Sequence, residues 1–104
     1  MNQYDVFANP VPRARKLLPF VAILQHDLTD TERDRVIAPL VLLSQFPGTA
    51  GKLTPIVRVS GVEHALLVPQ LGAISSQSLR KKKDSLAAYR LEIIQAIDLL
   101  FVGV

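Results

Sequence analysis

The sequence contains no cysteine and no tryptophan, and its aromatic residues are two tyrosines and four phenylalanines. Without cysteine there is no disulfide framework and no thiolate metal site, which fits a reducing cytoplasm. With so few aromatics the core must be built mostly from Leu, Ile, Val and Ala. Long hydrophobic runs are also lacking. The longest apolar run with helix or strand character is Val36–Leu43, whereas a membrane span needs about 20 such residues. No membrane segment is expected. The start, Met1-Asn2-Gln3-Tyr4-Asp5, has neither the basic residues nor the apolar stretch of a signal peptide, so a cytoplasmic location is expected. A glycine-rich phosphate loop is absent as well. Pro47-Gly48-Thr49-Ala50-Gly51-Lys52 lacks the four-residue gap and the Lys-Ser/Thr ending of a P-loop.

What is present suffices for one hydrophobic core. The chain has 104 residues, 49% of them hydrophobic, and residues 1–104 are expected to form a single domain. The net charge is +3, too modest to indicate nucleic-acid binding by itself. The charge is local: Arg80-Lys81-Lys82-Lys83 form one cluster, and Arg13, Arg15 and Lys16 another.

Strands come first. Tyr4–Phe7 reads as a short strand, broken by Asn9-Pro10-Val11-Pro12. Phe20–Gln25 is an almost continuous apolar run, the pattern of a strand covered on both faces. Asp30–Arg35 reads as a charged surface turn. Val36–Leu43 is apolar again, and Pro39 within it predicts a bulge or an edge position. Leu53–Val59 and Val62–Val68 read as a hairpin joined at Ser60-Gly61. Ala73-Ile74-Ser75 can add a last short strand. The period then changes. Leu86, Tyr89, Ile93, Ile97, Leu100, Phe101 and Val104 recur at three- and four-residue spacing, one face of a helix. Asp84 or Ser85 is the expected N-cap. The fold class is therefore mainly β with one C-terminal α-helix. Five or so short strands with frequent turns predict a small barrel or strongly bent sheet.

No enzymatic constellation stands out. His26 and His64 lie on different predicted strands without clustered carboxylates, which is poor for a metal site. His26, Asp27 and Thr29 resemble a base, an orienter and a nucleophile. On an extended chain, however, neighbours point to opposite sides, and a solvated strand end is the simpler reading. We expect no catalytic residue, no metal and no cofactor. Arg80–Lys83 reads either as a solvated loop before the helix or as a partner-binding patch. Lysines beside a helix N-terminus oppose its macrodipole, which favours the second reading. No aromatic residue interleaves the run, so single-strand stacking is not indicated.

Ordinary chain ends are polar and frayed. This one runs Ile97-Asp98-Leu99-Leu100-Phe101-Val102-Gly103-Val104, with Asp98 its single charged side chain. Such a tip is either buried in its own core or docked into a partner.

The order of motifs resembles the CcdB toxins of bacterial toxin–antitoxin modules, essentially end to end. The resemblance is carried by Gln3-Tyr4-x-Val6-Phe7, by Phe20-Val21 followed by Gln25-His26-Asp27-Leu28, by Arg35-Val36-Ile37-Ala38-Pro39-Leu40, and by Leu53-Thr54-Pro55-Ile56-Val57. Ile94 to Leu100, followed by Phe101-x-Gly103-Val104, is the closest match. The resemblance implies a small SH3-like barrel with a long C-terminal helix, assembled as a homodimer. It implies a non-enzymatic poison that inserts between the two A subunits of DNA gyrase and traps cleaved DNA. It also implies an antitoxin whose disordered, acidic tail wraps the dimer. No membrane and no direct sequence-specific DNA binding are expected. Carried over from the family, the gyrase-binding residues become Leu28, Thr29, Asp98, Phe101, Val102, Gly103 and Val104. Val102 stands where well-known members carry a tryptophan that stacks on a gyrase arginine. Arg80, Lys81, Lys82 and Lys83 fall where well-known members are acidic, and are expected to bind the antitoxin tail.

Two alternatives differ in class. A MazF-like mRNA endonuclease shares the barrel, but its early Arg-Gly-Asp-type segment and its Gly-x-Glu-Gln…Arg-Pro pattern have no counterpart here. A basic, non-catalytic binding module would act through Arg80–Lys83.

Overall fold

In a computed structural model describing residues 1–27 and 33–103, strands precede a single α-helix. The strands are β1 (Asp5–Ala8), β2 (Phe20–Ile23), β3 (Asp34–Leu42), β4 (Ile56–Val59), β5 (Val62–Leu66), β6 (Gly72–Ser75) and β7 (Lys82–Ser85). The helix, α1, spans Arg90–Val102. There are thus seven strands among the described residues, not five or so. Ala73-Ile74-Ser75 does form a strand, within β6. The strand that the sequence pattern does not reveal is β7, whose four residues Lys82–Ser85 are polar and carry no apolar alternation.

The sheet runs β4-β5-β3-β2-β1-β7, and every pairing is antiparallel. β6 shares an edge of β3 with β5: it pairs with Asp34–Ile37, and β5 pairs with Leu40–Leu42. The sheet curves into a half-barrel, and this fits the SH3-like expectation.

Alternation explains the packing. Val6, Ala22, Leu24, Ala38, Leu40, Val57, Val59 and Leu66 face inward and meet Ile93 and Ala96 of α1. Their neighbours Phe7, Val21, Ile23 and Ile37 face the other way and are covered by Ile74 and Leu79. Val41, Ala65 and Leu67 form a third cluster with Leu18, Leu43 and Phe46. Phe20–Gln25 is therefore apolar because β2 is covered on both faces.

Several expectations need correction. Pro39 is neither at an edge nor in a bulge. It lies in the central strand β3, opposite Val21 of β2. Its carbonyl accepts the Leu67 N–H at 2.9 Å, so its nitrogen faces the same side. There β5 leaves the ladder for the turn Val68–Gln70. The missing donor therefore falls in the gap between β5 and β6, where no ladder bond is needed.

The helix begins later than expected. Asp84 and Ser85 are strand residues paired with β1, not N-caps. A 3-10 turn at Ala87–Tyr89 leads into α1, which has no side-chain cap. Lys82 and Lys83 are likewise in β7 rather than in a loop beside a helix N-terminus, so the macrodipole of α1, which starts at Arg90, does not oppose their charges. Of the expected turn Asp30–Arg35, Asp34 and Arg35 belong to β3, and 30–32 lie outside the described residues.

The hairpin and its Ser60-Gly61 connection hold, with arms shorter than Leu53–Val59 and Val62–Val68: the strands are Ile56–Val59 and Val62–Leu66. Ser60 and Gly61 have φ of 51° and 81°, the positive values that a two-residue connection of twisted strands requires. Tyr4 also has a positive φ, 71°. Its N–H reaches the Ile23 carbonyl at 2.7 Å and its own carbonyl accepts Leu86 N–H at 2.8 Å. These two bonds hold the turn that feeds β1, which begins at Asp5.

Candidate functional site

The tip of α1 is the first candidate. Ile93 and Ala96 are fully buried against the sheet, and Ile97 and Leu100 pack at the margin of the core. The rest of the helix carries Arg90, Glu92, Gln95 and Asp98 on its exposed side and half-buried Ile94 and Leu99, but it also leaves apolar side chains uncovered. Leu91 is 66% exposed, Phe101 67% and Val102 70%. Phe101 and Val102 therefore do not fold back into the core. Phe101 also leaves the inward stripe on which its spacing placed it. Successive residues turn by about 100°, so the residue after Leu100 has swung toward solvent, and Ala96 fills the other margin of the buried face.

The helix ends at Gly103, whose φ is 83°. Its N–H reaches the carbonyls of Asp98 at 3.2 Å and Leu99 at 3.1 Å. This closure satisfies carbonyls left open at the last turn. A side chain at this φ is strained. Asp98 is exposed one turn before Phe101, so the two share a face. Of the expected gyrase-binding residues the structure brings together Asp98, Phe101, Val102 and Gly103. Leu28, Thr29 and Val104 lie outside the described residues.

A basic cleft of about 470 Å³ is the second candidate. It is lined by Ala8, Pro10, Arg15, Ser78, Arg80, Lys81 and Lys83. The fold thus unites members of two clusters far apart in the sequence. It also splits one of them. Lys82 pairs with Asp5, Nζ to Oδ1 at 3.3 Å, and does not line the cleft. The cause is a register shift: Val6 faces Asp84 but Phe7 faces Lys82, leaving Lys83 as the extra residue of a bulge. Arg15 is set by the buried Asn9, whose carbonyl accepts Arg15 Nε–H at 2.5 Å. Asn9 itself donates to the Leu18 carbonyl and accepts from Val11 N–H.

A family model described as CcdB protein matches residues 3–103, nearly the whole chain. The chain belongs to the CcdB family. Its relatives are the toxins of toxin–antitoxin modules, and the SH3-like half-barrel with a C-terminal helix is the fold expected of a CcdB toxin. No curated protein matches the sequence. Among the described residues, no helix of this CcdB family member is long and apolar enough to cross a membrane.

The histidines do not build a site. His64 is buried, with Nδ1 at 2.8 Å from the Val62 carbonyl and its ring edge-on to Phe20 at 5.6 Å between centroids. The Nδ1 contact makes that nitrogen the proton-bearing one, and among the described residues Nε2 has no hydrogen-bond partner. This CcdB histidine is a core residue. His26 and Asp27 are exposed, as a solvated strand end requires, and Thr29 lies outside the described residues. Among the described residues no three His, Asp or Glu gather to hold a metal.

Two roles were missed from sequence. Arg15 gave no sign of meeting the Arg80–Lys83 run. Asp84, read as a helix cap, instead accepts Ser60 N–H and Ser85 N–H, each at 2.7 Å. These two bonds hold its carboxyl below the ordinary carboxylate range, with a smaller contribution from the Lys82 charge. Tyr4 shows the opposite direction. Burial pushes its hydroxyl up, partly offset by the Arg90 charge.

Proposed function

We propose that this CcdB-family toxin is a non-enzymatic poison of DNA gyrase, acting in the cytoplasm as a two-fold homodimer. Each protomer presents the tip of α1 to an A subunit of the enzyme. The single observation that carries this reading is the exposure of Phe101 and Val102 beyond a helix whose opposite face is buried. Exposed aromatic and aliphatic side chains beside a polar rim make suitable anchors for a partner's pocket. Gly103 fixes the direction in which the chain leaves them. A two-fold toxin carrying one such tip per protomer suits a two-fold target. A cognate antitoxin with a disordered acidic tail binds the dimer and removes it from gyrase.

Gyrase-mediated DNA cleavage with the purified protein tests this. Linear DNA should accumulate in proportion to toxin, and Phe101→Ala with Val102→Ala should abolish it. No cleavage at any toxin concentration, or unchanged cleavage with the double variant, would sink the proposal.

A further inference from the structure

We infer that the cleft between Arg15 and the Arg80–Lys83 run is a docking site for an acidic peptide segment of a partner protein. The charges converge and are unspent. Arg15, Arg80, Lys81 and Lys83 line one cleft of about 470 Å³, with no carboxylate lining it among the described residues. Among the described residues, Lys82 alone of the run has an ion-pair partner. Like charges held together without a counter-ion destabilise the fold that holds them, and a bound carboxylate relieves this. The construction is specific. Buried Asn9 sets Arg15, and the bulge in β7 separates Lys83 from Lys82, turning one to the cleft and the other to Asp5.

The chemistry favours peptide over nucleic acid. Arginine offers a planar fork suited to carboxylates, and lysine a mobile point charge. The small apolar surfaces of Ala8 and Pro10 and the Ser78 hydroxyl suit a peptide's mixed character. No aromatic side chain lines the cleft, so bases have nothing to stack on. The cations form one compact pocket rather than the extended row that tracks a phosphate backbone.

The inference rests on the toxin–antitoxin reading only in naming the source of the segment, the antitoxin's acidic tail. Peptide binding is measurable whether or not gyrase is poisoned, so the two readings fail separately.

The test is fluorescence anisotropy of the full-length protein with two labelled probes of about twelve units each: a Glu/Asp-rich peptide with interspersed Leu, and oligo-dT. Two double variants of equal net charge are compared. Lys81→Glu with Lys83→Glu alters the cleft, whereas Lys16→Glu with Lys52→Glu alters exposed lysines outside it. The cleft variant should bind the peptide about tenfold more weakly, and the control about twofold or less. Binding to the unmodified protein should weaken as salt rises. Equal losses in the two variants would reduce the effect to overall charge and overturn the site. Tighter binding of oligo-dT than of peptide would overturn the choice of partner. Should the cleft variant melt early, Arg80→Gln with Lys81→Gln replaces it and must show the same ordering.

Discussion

The Asp84 carboxylate accepts the Ser60 N–H at 2.7 Å across 24 positions of sequence, tying β7 to the turn between β4 and β5. β7 and β4 are the two ends of the sheet order. A second tie lies nearby, where Arg58 N–H reaches the Tyr89 hydroxyl at 3.2 Å. Side chains thus bring together the two ends of a sheet that backbone ladders leave open, and α1 follows directly from that seam.

Asp84→Asn should therefore loosen the seam, and its effect should depend on pH. The carboxyl is held low by amide hydrogen bonds from Ser60 and Ser85. A lowered folded-state pKa gives stability that is fully present above the ordinary Asp value of about 3.9 and is lost as pH falls through the lower folded value. The variant should cost about 1 kcal/mol at pH 7, and the gap to the parent should narrow as pH falls below the ordinary Asp value. Urea unfolding at several pH values measures this; a gap that does not change with pH would contradict it.

The two faces of α1 should respond differently. Ile93 is fully buried, so Ile93→Ala should destabilise by about 2–5 kcal/mol. Leu91 is 66% exposed, and Leu91→Gln should change stability by less than about 0.5 kcal/mol. Thermal melts of both variants decide whether the helix is oriented as described. Comparable losses would mean that Leu91 is covered in the assembled protein.

Gly103→Ala isolates the geometry of the tip. The site has open space for a methyl group, but its φ of 83° disfavours one. The strain of about 1 kcal/mol falls at the exposed end of α1, away from the core, so the melting temperature should move by a few degrees at most. Gyrase cleavage should fall sharply, because the Gly103 N–H bonds to Asp98 and Leu99 that close the turn carrying Phe101 and Val102 would be disturbed. Full cleavage activity in a folded variant would remove Gly103 from the contact.

Val102→Trp tests the position where the chain departs from well-known members of its family. Val102 is 70% exposed, so an indole is accommodated without repacking. A cation–π contact with a gyrase arginine should lower the toxin concentration needed for half-maximal cleavage about fivefold. An unchanged dose response would mean that the surface opposite Val102 offers no cation.

Much of this was legible in the sequence because it is local. Alternating and continuous apolar runs mark which faces are covered, so β2 and the Ser60-Gly61 hairpin read correctly. Spacing of three and four residues marks a helix, and it located Ile93, Ile97 and Leu100. The errors share a cause. The acidic residue before the apolar stripe looked like a cap because capping is a local pattern, yet Asp84 is engaged with a turn far along the chain. Pro39 looked unfit for a central strand because its partner strand's departure at Leu67 is invisible in one dimension.

The tip shows the division most plainly. By itself the sequence determined that the chain end is apolar, that its helix is richer in such residues than one buried face can use, and that a glycine stands where the helix stops. Burial preference and backbone sterics are properties of single residues and their near neighbours. Only the tertiary structure decided that Phe101 and Val102 stay uncovered, and that Arg15 shares a cleft with Lys83 while Lys82 turns to Asp5. These depend on where the curved sheet ends and on one extra residue in a strand pairing, and such long-range closures leave no periodic mark on the chain.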